Sequence, residues 1–253
     1  MPGESKMKTA YVDEVGTGSI AGPALVCAVA IGDNHPKIKG VNDSKKLTKK
    51  KREELYPIIA EQVKFAFGAA SPNRIKTMNI HYGKYIAMKE AVERLVRSGE
   101  DIREVIVDGN FVIPNLNIPQ KAVIKADEIY WQVGAASILA KVKRDKLMAD
   151  LAKIERFSYY DFENNAGYYA PKHRDGVIFH GPTPFHRVNF GYFKYCMTLR
   201  NEYLKFVKWG GGEEEYLNWE FHMEKHYGIS MYKIWKQGVL DPWQEIKYGE
   251  KNG

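Results

Sequence analysis

The chain has 253 residues, 44% of them hydrophobic and 27% charged, which is enough for one sizeable core in a soluble globular class. No apolar run approaches the ~18 residues of a membrane span, and the first residues carry no signal-like apolar core, so a cytoplasmic protein is expected. The net charge of +7 points to a polyanionic partner.

In chain order, apolar or β-branched runs predict strands over 8–14, 24–31, 62–70, 103–108 and 120–125. Helical patterns lie between and after them. A basic helix is expected over 47–62. In 79–97, Met88, Ala91, Val92, Leu95 and Val96 share one face, and over 129–154 the small trio Ala135-Ala136-Ser137 suits close packing. A hairpin followed by alternating helices and strands predicts an α/β fold with a mixed sheet. Residues 201–253 hold seven Lys/Arg against nine Asp/Glu and four of the five Trp, beside Gly210-Gly211-Gly212. That shift predicts a main domain over 1–200 and a small, mainly helical extension over 201–253. Cys27 and Cys196 show no ligand spacing and are expected as plain thiols, Cys27 in the core.

The first strand ends in two adjacent carboxylates, Asp13 and Glu14, directly before Gly16-Thr17-Gly18. Asp108 closes the REVIV run before Gly109, and Asp127 follows KAVIK. If those strands lie side by side, the four carboxylates converge. Such a cluster needs a compensating cation, and hard divalent ions prefer oxygen ligands. With a basic surface, this suggests metal-dependent cleavage of nucleic acid. An Asp before a Gly also caps turns, so spacing alone leaves both readings open.

The sequence resembles the ribonuclease HII family through DEVGTGSIAGP (13–23), NDSKKL (42–47), the NI and AM of 79–88, VDGN (107–110), KAD (125–127), AASILAKVKRD (135–145), AGYYAPKH (166–173) and HRVNF (186–190). These blocks follow the family's order across roughly residues 8–195. The resemblance implies a ribonuclease H-like five-stranded mixed sheet flanked by helices. It also implies a tetrad of Asp13, Glu14, Asp108 and Asp127 holding two Mg²⁺ or Mn²⁺ ions, with Asp13 bridging them and Asp127 near the attacking water. The implied reaction is hydrolysis of the RNA strand of RNA/DNA hybrids and incision of DNA duplexes at embedded ribonucleotides, leaving 3′-hydroxyl and 5′-phosphate.

The turn departs from the family's usual Gly-Arg-Gly. Gly16 and Gly18 keep the close backbone approach to a ribose 2′-hydroxyl, while Thr17 removes a cation. In this the chain is similar to the sister family ribonuclease HIII, which implies an alternative specificity for RNA stretches only. Asp127, where that family has Glu, and Tyr168, at the position that stacks on the deoxyribose beside a ribonucleotide, point back to type HII. A non-catalytic duplex-binding protein on the same fold is the remaining alternative, and four retained carboxylates speak against it.

Eight basic residues and one acidic residue lie between Lys37 and Arg52, and Lys45, beside Ser44, is the expected phosphate contact. His173 and His186 are expected to serve structural hydrogen bonding, and Asp145 to pair with a nearby base. A monomer is expected. No clear sliding-clamp peptide is read in the C-terminal residues, and a clamp partner is left open.

Overall fold

The computed structural model describes residues 7–42, 44–208, 210–215 and 218. Five strands, β1 (Lys8–Val15), β2 (Ala24–Ile31), β3 (Lys64–Ala70), β4 (Ile102–Asp108) and β5 (Gln120–Val123), form one sheet in the order β3-β2-β1-β4-β5. The β1–β2 and β2–β3 pairs are antiparallel, whereas β1–β4 and β4–β5 are parallel. This is the expected mixed sheet.

Both faces of the sheet are covered, which explains why β2 reads ALVCAVAI without alternation. One face packs Tyr11, Cys27 and Val29 against Leu55 and Ile59 of α1 (Lys49–Gln62) and the Ala135–Ala140 stretch of α5 (Trp131–Ala152); between α1 and α5 in the chain come the short α2 (Pro72–Met78), the long α3 (Ile80–Arg97) and the short α4 (Ala126–Ile129). The other face packs Ala10, Val12, Val26 and Ala28 against Met88, Ala91, Val92 and Leu95 of α3. Successive residues of β1 therefore alternate between the α5 side and the α3 side.

The expected helix over 47–62 begins two residues later, because Thr48 accepts from the Lys51 N–H as an N-cap and residues Ser44–Lys46 form a separate 3₁₀ turn. The expected fifth strand ends at Val123, short of residue 125. Lys125 then adopts a left-handed backbone (φ 55°) that opens α4, so Asp127 sits in a helical turn and not at the strand end.

Beyond α5, a 3₁₀ turn (Glu155–Tyr160), α6 (Phe162–Asn165), α7 (Pro171–His180) and α8 (Gly191–Lys208) form a further layer. Ile20, Ala21, Met148, Phe162 and Phe193 fasten it to the turn after β1. Helix α8 runs through residue 200, and most of the expected 201–253 extension lies outside the described residues. Cys27 and Cys196 are buried free thiols, as expected. Among the described residues no helix is long and apolar enough to cross a membrane.

Candidate active site

The C-terminal ends of the parallel neighbours β1 and β4 meet at one rim. Their register sets Val12 beside Val107, one residue short of Asp13 and Asp108. Open α/β sheets place ligands outside such strand ends. A cavity of about 310 Å³ opens there, lined by Asp13, Glu14, Asp108, Gly16, Thr17, Ser44, Lys45 and Tyr168, together with Val15, Arg52, Ser137 and Lys141. A slightly larger cleft, about 380 Å³, lies beside Ala30 and Gln62, but its His35 is already bonded to the carbonyls of Pro36 and Gln62.

Strand alternation explains why two adjacent carboxylates coexist. Asp13 follows Tyr11 toward α5, where Ser137 helps to hold its charge, and its Oδ1 accepts from the Glu14 N–H at 2.7 Å. Glu14 takes the α3 side, where Lys84 Nζ stands 3.0 Å from Oε1. Its other oxygen, Oε2, is buried and has no hydrogen-bond partner. Burial raises the Asp13 carboxyl to about 8, aided by Glu14 and Asp108 and opposed by Ser137. Burial also raises Glu14, while Lys84 pulls it back.

Asp108 Oδ1 accepts from the Ala126 N–H at 2.8 Å, which ties the start of α4 to the end of β4. Asp127 is the next residue, half-buried, and stands outside the cavity lining, as does Gly18. Among the described residues, no three His, Cys, Asp or Glu side chains are already gathered closely enough to hold a metal ion. The remaining eight expected site residues share the cavity.

The two glycines of the turn differ. Gly16 has φ +79°, and a Cβ there would lie 2.1 Å from Arg144 Nε, so no side chain fits. Gly18 is exposed, with nothing within 4 Å of a Cβ. Behind the turn two buried arginines collect its carbonyls. Arg144 donates to Pro23, Ala21 and Ala166, and Arg187 donates to Gly22 and, at 2.9 Å, to Thr17. Burial, then the neighbouring Arg144, lowers Arg187 to about 9.

Ser44 is buried and its Oγ bonds Ser137 Oγ at 2.7 Å, so it braces the cavity wall. Arg52 clamps the same turn through the carbonyls of Ser44 and Leu47. Lys45 is exposed at the cavity. The Tyr168 ring, 37% exposed, lies 5.7 Å from Lys141 Nζ and 5.4 Å from Arg144 Cζ. Asp145 pairs with Lys141 at 2.8 Å, as expected. His173 and His186 also meet the structural expectation, bonded to each other and, through His173, to the Tyr168 carbonyl.

Lys84, Ser137 and Lys141 were not singled out as site residues by sequence reasoning, which read Ser137 only as a small packing residue. Each had a signal. Lys84 is a charge on the apolar stripe of α3, four residues before Met88, and Ser137 and Lys141 are one helical turn apart on α5.

A five-stranded mixed sheet with acidic residues at the ends of its parallel strands defines a ribonuclease H-like protein. Residues 10–193 match the ribonuclease HII family. A ribonuclease HII of Macrococcus caseolyticus is 40% identical over 179 residues, which cover 71% of this chain and 65% of that protein. One of Caldicellulosiruptor saccharolyticus is 37% identical over 193 residues, 74% of this chain and 91% of that one. Among solved structures, the PCNA:RNase HII complex of Archaeoglobus fulgidus aligns with a TM-score of 0.61 at 30% identity, covering 76% of this chain and 96% of the aligned one. The chain belongs to the ribonuclease HII family.

Proposed function

We propose that this chain is a monomeric, metal-dependent endoribonuclease that hydrolyses the RNA strand of RNA/DNA hybrids and incises DNA duplexes at embedded ribonucleotides. The observation that carries this reading is the meeting of Asp13, Glu14 and Asp108 in one cavity that Thr17 and Tyr168 also line. Family membership supports the substrate class and the metal dependence.

The donor set fits divalent cations. Glu14 Oε2 is buried and unpaired, an ammonium already rests on Oε1, and Asp13 is too deeply buried to ionise readily without a cation. Asp13, Glu14 and Asp108 would hold the ions, two Mg²⁺ or Mn²⁺ in this reading, and Asp127, next to the amide that Asp108 holds, completes the set. When bound, the ions supply Lewis acidity for attack of water on the scissile phosphate, leaving 3′-hydroxyl and 5′-phosphate.

The chain's own residues orient the duplex. Gly18, with open space where a side chain would stand, admits the ribose edge, and Gly16 lets the turn close over Arg144. Lys45 contacts backbone phosphate, Ser44 holds that turn against Ser137, and Tyr168 stacks on the sugar beside the ribonucleotide. The organisation belongs to the same reading, with a catalytic domain over 1–200 and an extension over 201–253. No clamp partner is assigned, although the Archaeoglobus relative was solved with PCNA.

Thr17 favours a second reading, cleavage of RNA stretches only, because its side chain brings no cation to the turn. A labelled duplex with one embedded ribonucleotide, assayed in Mg²⁺ beside a longer RNA/DNA hybrid, separates the two. Cutting of both substrates is expected. Cutting of the hybrid alone selects the second reading, and cutting of neither overturns both.

A further inference from the structure

Glu14 has two oxygens in unlike surroundings. Oε1 faces the Lys84 ammonium at 3.0 Å, with the two side chains 16% and 15% exposed, whereas Oε2 is buried and unpaired. Lys84 rises from α3 on the stripe that otherwise buries Met88, Ala91 and Leu95, and its Nζ lies 5.2 Å from the Tyr85 ring centre, which helps to hold the charge in place. Two other cations of the cavity are engaged elsewhere, Arg52 with the carbonyls of Ser44 and Leu47, and Lys141 with Asp145.

We propose that Lys84 is a positioning residue of the metal site, a resident ammonium that leaves Glu14 a single oxygen for ligation and competes with a divalent ion for that carboxylate. This rests on the metal-site reading of Asp13 and Glu14 given above. An ion on Glu14 must share one carboxylate with a fixed positive charge, and like charges a few ångströms apart repel. Without nucleic acid the site is therefore loaded weakly. An incoming phosphate brings the negative charge that offsets both cations, so loading becomes linked to substrate. The family tetrad contains no such lysine, and specificity for metal concentration is the property it sets.

The test is calorimetric titration of Mn²⁺ into the metal-free full chain at about pH 8.5 without nucleic acid. Wild type, Lys84→Met, Lys84→Arg and Asp13→Asn are compared, each checked for its unfolding temperature in chelator. Removing the ammonium is expected to tighten Mn²⁺ binding ~10-fold, with Lys84→Arg staying within about twofold of wild type. The Mg²⁺ concentration for half-maximal cleavage should fall in Lys84→Met in the same direction. Lys84→Gln replaces Lys84→Met if the latter fails to fold. Unchanged or weaker binding in the neutral variant overturns the proposal, as does an arginine variant that behaves like it. Asp13→Asn separates the levels: if it binds Mn²⁺ like wild type, the metal-site reading itself fails, and if it loses binding while Lys84→Met binds no tighter than wild type, only the role of Lys84 fails.

Discussion

His186 Nε2 lies 3.0 Å from His173 Nε2, deep in the layer that carries Tyr168. The Thr183 backbone N–H donates to His186 Nδ1 at 2.9 Å, which leaves the proton of neutral His186 on Nε2. His186 then donates to His173, and His173 Nδ1 donates to the Tyr168 carbonyl at 2.8 Å. The proton order is fixed from Thr183 to Tyr168, which lines the cavity of Asp13, Glu14 and Asp108. Rings of Tyr160 and Phe162, 5.1 Å from His186 and His173 respectively, close the pair off from water.

Burial lowers His173 to about 4 and His186 to about 3, from an ordinary value of 6.5. At these two sites the folded state thus binds fewer protons than the unfolded chain between these values, so the pair's contribution to stability is full above about pH 7 and declines as pH falls through 6.5 toward 4. Unfolding temperature measured from pH 4 to 8 should show this slope. His173→Phe/His186→Phe should flatten it and, by freeing the Tyr168 carbonyl, reduce cleavage at a lone ribonucleotide more than cleavage of a hybrid. An unchanged slope in the double variant contradicts the assignment.

Asp13 has the opposite sign. Its folded value of about 8 lies above the ordinary 3.8, so the metal-free protein loses stability as pH rises between the two. A divalent ion must displace that proton. Mn²⁺ affinity should therefore climb by up to about tenfold per pH unit to near pH 8 and then level off. A flat profile between pH 6 and 8 counts against it.

The turn after β1 offers a paired test. Gly16→Ala places a Cβ against Arg144 in a left-handed backbone and should destabilise by roughly 2–4 kcal/mol. Gly18→Ala meets open space and should stay within about 0.5 kcal/mol of wild type while lowering cleavage at least ~10-fold. Full activity in Gly18→Ala removes the close approach of the substrate at this position.

Lys45→Ala should weaken duplex binding across sequences and reduce the slope of log affinity against log salt by about 1, with little change in unfolding temperature. Arg52→Ala should lower the unfolding temperature instead, because Arg52 holds the carbonyls of Ser44 and Leu47.

Much of this site was legible in the sequence. Asp13, Glu14 and Asp108 sit at strand ends, and the period-2 rule that defines a strand also sends Asp13 and Glu14 to opposite faces of the sheet. Asp127 was less so, because the left-handed Lys125 starts a helix where the apolar pattern still reads as strand. Local signals for α7 are weak, since its buried His173, Gly176 and Val177 fall at helical spacing but only Val177 is strongly apolar. Lys84 was readable only as an exception to a stripe, and its partner Glu14 is 70 residues away in sequence. The two arginines behind the turn had no local signal, because their partners are carbonyls far along the chain.

The most direct measurement compares Asp13→Asn with wild type in cleavage of an RNA/DNA hybrid and in binding of the same hybrid. The predicted result is loss of cleavage by at least ~10³-fold with binding changed by less than about fivefold, since Asn keeps the shape and loses the charge that holds a cation. Cleavage at the wild-type rate in the variant would contradict the metal site at Asp13 and the function built on it.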